Sequence, residues 1–361
     1  MSSAIGPADY GMLGALISDS ASVRQNLDTL TTQASSGLIG QTYAGLGDGA
    51  STSLDLNPEI ASMTTWQNNI AAATGQAGVT QTAMTQLQSI ASTFYSDTVD
   101  LNGLNPSEVD SIAADAQQAL VQVAGLLDTQ DGGVYVFGGA DTSNPPVPDP
   151  NDILSSGYYT QISSAVGTLG TNGGTATIAA TLAVATSNAA GTSPFSAYMS
   201  QPAATLQAQI PTVSDGQGQS TSLGLLASAN SYVASTGTST TGSYMRDLMR
   251  SLATLASLSS SQVNDAGFST VVSDAATSLQ GVISDMAGDA GVLGDTQTAL
   301  TNQATQLSDT QTALTGQVSS AQDVDMASTL SNLSLVQTQM QASYQVISGM
   351  SKLSLVNYLP T

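Results

Sequence analysis

The stretch Leu293-Gly-Asp-Thr-Gln-Thr-Ala-Leu300-Thr-Asn-Gln-Ala-Thr-Gln-Leu307-Ser-Asp-Thr-Gln-Thr-Ala-Leu314 places leucine at every seventh position. Ala321 continues the spacing, and Ala304 and Val318 fall between. An apolar residue recurring on a 3.5-residue period specifies a helix that supercoils against a partner. The residues between the leucines are mostly Thr, Gln, Ser and Ala, so packing rather than ion pairs must hold such a helix.

Working outward, the same grammar runs to both ends of the chain. Met326, Leu333, Met340 and Ile347 sit seven apart, with Tyr344 beside them. Near the start, Leu13, Leu16, Val23, Leu27 and Leu30 fall on three- and four-residue steps, with Ser20 and Ala34 at the small positions. Each terminal helix is short for stability on its own in water, so each is expected to order against the other. A second helix is predicted from about Pro58 to Leu101 on the spacing of Leu87, Phe94 and Leu101, with Ala83 and Ile90 between them, ending at Asn102-Gly103. The next has Asn105 as N-cap, Pro106 at the first helical position and Glu108 three residues after the cap. It carries Val109, Ile112, Ala116, Leu120, Val123 and Leu127 on one face, stops at Asp131-Gly132-Gly133, and precedes a short strand, Val134 to Phe137. Helix resumes at about Ser243, with Met245, Leu248, Met249, Leu252 and Leu255, then Phe268, Val272, Ala275, Leu279, Val282 and Met286.

Between about 141 and 242 the pattern changes. Pro145, Pro146, Pro148 and Pro150 form a rigid stretch, Gly170 to Gly174 reads as a turn, and Thr175 to Val184 reads as a strand. The fold class expected is mainly α: a long coiled-coil rod of paired N- and C-terminal segments, with a small inserted β-rich or irregular domain. The boundaries expected are 1–36 for the N-terminal axial helix, 37–140 for rod helices and a hairpin, 141–242 for the insert, 243–322 for further rod helices and 323–361 for the C-terminal axial helix.

Composition narrows the function. The 361 residues include 26 acids and 4 bases, a formal charge of -22, with no Cys and no His. Arg24, Arg246, Arg250 and Lys352 are the cations, too few for the basic surface that nucleic acid or an anionic membrane requires. Thiolate chemistry, His-metal sites and Ser-His-Asp triads lack their parts, and no cofactor is expected. Hydrophobic residues reach 41%, which sets the chain apart from disordered acidic tails. No run of about 18 apolar residues suggests a membrane span. Met1 to Val23 lack the features of a secretory signal peptide, while scarce Lys and abundant Ser, Thr, Gly and Ala suit an exported protein, so export is expected to need a dedicated machine.

At this point the residues resemble a known family. Leu30-Thr-Thr-Gln-Ala-Ser-Ser-Gly-Leu38 resembles the L-x-x-L-S-S-G-L turn of bacterial flagellins and of the flagellin-type hook-filament junction protein. Asn68-Asn69 and Gly78-Val-Thr-Gln-Thr-Ala-Met-Thr-Gln-Leu87 resemble the opening of that family's long second helix. Gln130-Asp-Gly-Gly-Val-Tyr-Val-Phe-Gly-Gly139 is similar to its Q-D-G-x-Y-L-F hairpin, most characteristic of the junction branch. Ser319-Ser-Ala-Gln-Asp-Val-Asp-Met-Ala-Ser-Thr-Leu-Ser-Asn-Leu333 resembles its S-A-x-D-x-D-x-A stretch, and Leu353-Ser-Leu-Val-Asn-Tyr-Leu359 its end. The chain departs from the pattern in the Tyr43 to Gly49 segment, read here as a loop, and in lacking an A-N-Q segment, which again leans to the junction branch.

The resemblance implies a non-enzymatic flagellar subunit exported by the type III apparatus with a chaperone. It would polymerise outside the cell with copies of itself and with other axial proteins such as hook-associated proteins. The polymer interface would comprise Leu13, Leu16, Val23, Leu27, Leu30, Leu333, Met340, Tyr344 and Ile347. Arg24 would find a salt link among Asp28, Asp323 and Asp325. From the residues alone, an ordinary helical bundle and a secreted adhesin with a helical stalk and ligand-binding insert stay open as alternatives.

Other motifs carry less. Asp128 and Asp131, or Asp149 and Asp152, miss the spacing of a calcium loop and read as solvated turn carboxylates. Gly45 to Gly49 lacks the Lys of a phosphate loop. Glycosidase-like carboxylate pairs would want more aromatics than the one Trp and four Phe present. The Ser/Thr-rich insert offers positions for O-linked glycans, or simply keeps a thin domain in water.

Overall fold

A computed structural model describes residues 7–101, 106–214, 216, 218 and 220–356, with side chains described within 14–349. The Asn102-Gly103 stop, the Asn105 cap, the Leu13 side chain, Lys352 and the side chains of the final Leu-Ser-Leu segment lie outside these. The protein is mainly α. Its principal helices are α1 (Pro7–Ser36), α2 (Gly49–Asp100), α3 (Pro106–Leu127), α4 (Gly157–Gly167), α5 (Leu169–Asn172), α6 (Gly174–Thr186), α7 (Ala203–Ala208), α8 (Tyr244–Leu255), α9 (Phe268–Gln322) and α10 (Met326–Val356). Two antiparallel hairpins complete it, β1 (Gln130–Asp131) with β2 (Val134–Tyr135), and β3 (Thr212–Ser214) with β4 (Ser220–Ser222). The chain divides into two compact units, Met1–Thr64 with Ser308–Thr361, and Thr65–Leu307.

In the first unit, α1 packs along α10. The ends of both helices meet where the chain breaks: Leu38 and Asp323 form an antiparallel bridge, Ile39 N donates to Gln322 O (2.7 Å) and Val324 N donates to Gly37 O (2.9 Å). Gly37 turns the chain out of α1 with φ 74, a conformation that favours glycine. α2 begins at Gly49, nine residues before the expected start at Pro58, and Pro58 lies inside it. Proline is favoured in the first turn of a helix, which is why it misleads as a start signal. Gly49 approaches the Ala321 carbonyl so closely that no side chain fits there.

The second unit holds the larger core. On α2 the buried face steps through Ile70, Ala73, Ala77, Thr80, Met84, Leu87, Ala91, Phe94 and Thr98 in strict alternation of three and four. Ala91 is the buried partner of this seam and Ile90 is half-buried beside it. On α9 the equivalent face is Phe268, Val272, Ala275, Leu279, Val282, Met286, Asp289, Leu293, Leu300 and Leu307. α8 is buried along its whole length and packs against α3, α4 and α6, which makes it the hub of this unit. Ser243 caps it, its Oγ accepting from Arg246 N.

The insert is irregular, but its strand content is one hairpin. Residues 175–184, expected as a strand, belong to helix α6, and residues 169–172, expected within a turn, form α5. The reason is spacing: Gly174, Thr177, Thr181 and Ala185 are the buried positions, three and four apart, and alanines fill the rest. Small residues on that face let α6 come close to Gly267 and Thr270, where a side chain on Gly174 would collide.

Candidate functional site: the paired terminal helices

Both helices of the terminal pair show a clean heptad face. On α1 the half-buried residues are Leu16, Ser20, Val23, Leu27 and Leu30; on α10 they are Leu333, Val336, Met340, Ser343 and Ile347, with Thr329 buried. Expected interface residues Leu16, Val23, Leu27, Leu30, Leu333, Met340 and Ile347 therefore do share one seam. Tyr344 does not: it is 44% exposed, because a residue one step off a heptad position turns to the flank of the helix, and Met326, on the heptad spacing but the first residue of α10, is 41% exposed. Val336, Ser343 and Thr329 take the intervening places.

The cation of the pair behaves differently from expectation. Arg24 Nη2 donates to the Tyr344 hydroxyl at 2.7 Å, and this contact raises the guanidinium pKa. The structure does not bring it to Asp323 or Asp325. Asp325 is engaged in capping α10: its Oδ1 accepts from Ala327 N and Ser328 N, and its Oδ2 from Ser328 Oγ. Those bonds stabilise its charged form and lower its pKa. The ion pair seen among the described residues lies elsewhere, between Arg250 and Asp274.

A two-helix pair can bury only one face of each member, and several large apolar side chains are left exposed here among polar neighbours. Leu335 is 57% exposed, Ile17 57%, Leu330 50% and Val346 50%. Beside them, a groove of about 500 Å³ runs past Asp28, Thr32, Leu38 and Ile39 at the end of α1. Scattered exposed leucines are ordinary, but several on one helix pair mark an interaction surface.

Residues 277–359 match the family model of the bacterial flagellin C-terminal helical region. The match supports a bacterial flagellin-family protein. The matched span covers most of α9 and all of the described part of α10, so half of the terminal pair lies within it. No curated protein matches the chain. A flagellin-type C-terminal region points to a flagellin-type structural subunit of the flagellum. None of the helices among the described residues is long and apolar enough to cross a membrane.

The chain also has a buried polar anchor that sequence reading missed. Asp289 falls on the core face of α9, between Met286 and Leu293, and is fully buried. It accepts from Ser231 N (3.2 Å), Val233 N (2.8 Å) and the Tyr244 hydroxyl (2.7 Å), which pins the 228–236 loop to α8 and α9. An acid at a heptad core position is the signal that could have found it. Asp289→Ala leaves three donors without acceptors, and is expected to destabilise this unit by about 2–4 kcal/mol. Asp289→Asn, which keeps one acceptor oxygen, should lose less; urea melts of both variants decide this.

Asp128, expected as a solvated turn carboxylate, is half-buried at the end of α3. Its Oδ1 accepts from Val147 N at 2.9 Å, tying the start of the insert to the helix. Burial pushes its pKa up to about 6, against that hydrogen bond. Burial likewise raises Asp97 and Asp247. A carboxyl whose pKa is higher folded than unfolded holds its proton more tightly in the native state. Its contribution to stability is full below about pH 4 and is lost as pH rises through 6. Asp128→Asn keeps the acceptor oxygen and removes the titration. Thermal melts should show the wild type gaining several degrees between pH 7.5 and 5, and the variant gaining less.

A cleft of about 340 Å³ opens between residues 235–240 and α9, with Asp247, Asp274 and Asp285 on its walls. Asp247 is engaged by Thr240 Oγ1 and Thr241 N, and Asp274 by Arg250. Among the described residues, no group of three or more acids stands together as a metal site.

Proposed function

We propose that the protein polymerises with copies of itself through α1 and α10, with Leu13, Leu16, Val23, Leu27, Leu30, Leu333, Met340 and Ile347 holding the pair and Tyr344 on its flank. The polymer is the flagellar filament or the junction between hook and filament. Subunits reach it by flagellar type III export with a chaperone, and other axial proteins such as hook-associated proteins adjoin it. In this reading residues 1–36 and 323–361 are axial, 37–140 and 243–322 form the surrounding rod, and 141–242 faces solvent.

The observation that carries the reading is the set of large apolar side chains on the terminal pair, Ile17, Leu330, Leu335 and Val346 among them, which a single chain leaves in water. Stacked copies each carrying -22 repel unless salt screens them. Electron microscopy of the purified chain, concentrated with and without added salt, tests it. Filaments or ordered tubes favoured by salt are expected; single particles under all conditions overturn the reading. Copy number per organelle separates the two places, thousands for filament and about a dozen for junction.

A further inference from the structure

We propose that the register of α1 against α10 is set by two polar pins, the bridge at 37–39/322–324 and the Arg24–Tyr344 hydrogen bond, and not by the apolar seam. The proposal deepens the polymer reading, since identical subunits need identical axial pairs. Its test is made on the single chain, so failure to polymerise and failure of the pins are separate results.

The seam by itself is a poor gauge of register. Its positions repeat every seven residues on both helices, and most are only half-buried. Sliding one helix by a heptad, about 10 Å, sets the same kinds of residue opposite one another again. Covalent connection does not prevent this. α10 follows α9 after three residues, but α1 joins α2 through residues 37–48, a linker long enough to absorb such a slide.

The two pins exist in one register only. The bridge pairs backbone groups of Gly37 and Ile39 with Val324 and Gln322, immediately beyond the helix ends. Arg24 is the one cation on α1, and Tyr344 the one aromatic residue between 326 and 349 on α10. One heptad away on α10, Gln337 and Ser351 are both shorter and present no phenol. Both contacts also run in the same sense, tying the C-terminal end of α1 to the start of α10 and its middle to later residues, so the pair is antiparallel. Polar contacts that specify one alignment of an otherwise repetitive seam are a known use of such groups in coiled coils. Arg24 and Tyr344 are thus positioning residues for the axial pair.

The chain has no cysteine, so spin labels at Asn26→Cys and Gln341→Cys, both exposed, report the pair alone. Distances are measured by pulsed electron paramagnetic resonance on the full chain, dilute and at low salt, where the charge of -22 keeps copies apart. The unmodified pins should give one distance. Tyr344→Phe combined with Ile39→Pro, which deletes a bridge donor, should add a second discrete distance displaced by up to about 10 Å. Gly37→Val, which disfavours the left-handed turn, replaces Ile39→Pro if circular dichroism shows lost helix. A single native distance in the combined variants at full helicity overturns the proposal, because the seam then suffices. A broad distribution without a second peak also overturns it, as does the lack of a defined distance with both pins intact.

Discussion

Removing α10 by ending the chain at residue 325 is expected to abolish polymerisation while leaving the second unit folded. α10 supplies one side of the terminal seam and several of the exposed apolar residues outside it, among them Leu330, Leu335 and Val346. Without it, Leu16, Val23, Leu27 and Leu30 have no partner, and α1 is left as a lone 30-residue helix with a polar complement of Thr, Ser and Gln. Such a helix gains most of its stability from packing, so it should melt as well. The unit spanning Thr65–Leu307 keeps its own core around α8 and the buried faces of α2 and α9. Its thermal transition should move by no more than about 2 °C, since the lost contacts belong to the other unit. The checks are sedimentation and electron microscopy for the polymer, and far-ultraviolet dichroism for the melt. Filaments formed by the shortened chain would place the interface elsewhere.

Replacing Arg246 is expected to cost the second unit more than any other single substitution considered. Its guanidinium is buried, and it makes four hydrogen bonds to acceptors in two parts of the chain, residues 185–188 and Ser228. Nε donates to Ser228 O (2.8 Å), Nη1 to Ala185 O (3.0 Å) and Nη2 to Asn188 Oδ1 (2.6 Å), while the group stacks over Phe195 at 4.9 Å. Burial lowers its pKa, opposed by the nearby Tyr158 and Asp247. The end of α6, the 228–236 loop and the Phe195 segment all converge on this one side chain. Arg246→Ala leaves the carbonyls unpaired and opens a void, a loss of about 3–5 kcal/mol. In a unit of this size that lowers the melting temperature by roughly 10 °C. Arg246→Lys keeps a charge but cannot reach three acceptors in a fork, so it should recover only part of the loss. If Arg246→Lys melts like the wild type, charge rather than geometry is what the insert needs.

The parts of the fold legible in the sequence are those where one physical rule acts alone. The Leu293 to Leu314 run and the α1 seam are pure heptads, and each became a helix with that face inward. The hairpin at Gln130 was readable because Gly132 and Gly133 supply the turn. Where two rules compete, the reading slipped. Residues 174–186 mix β-branched Thr, Val and Ile with Ala, and the period of burial rather than composition decided for helix. On α10 the apolar residues Met326 and Tyr344 drew attention from the true seam, which includes Thr329 and Ser343, because small polar residues pack well between helices. Charge alone points Arg24 to a carboxylate, yet one of the three candidates, Asp325, is committed to capping α10, and a tyrosine hydroxyl takes the guanidinium instead. Asp289 leaves one signal, an acid on a heptad core face, while Arg246 leaves none, because most of its partners are backbone carbonyls that no side-chain pattern records.

The burial of Arg246 and Arg250 on α8 bears on how the protein meets the outside world. Proteases that cut after basic residues have four places to act in the entire chain, and these two are sealed inside the hub. From residue 25 to residue 245 there is no such place at all. Even a locally opened insert would offer these enzymes nothing to cleave, so residues 25–245 resist trypsin-like digestion by composition, and the hub resists it by fold.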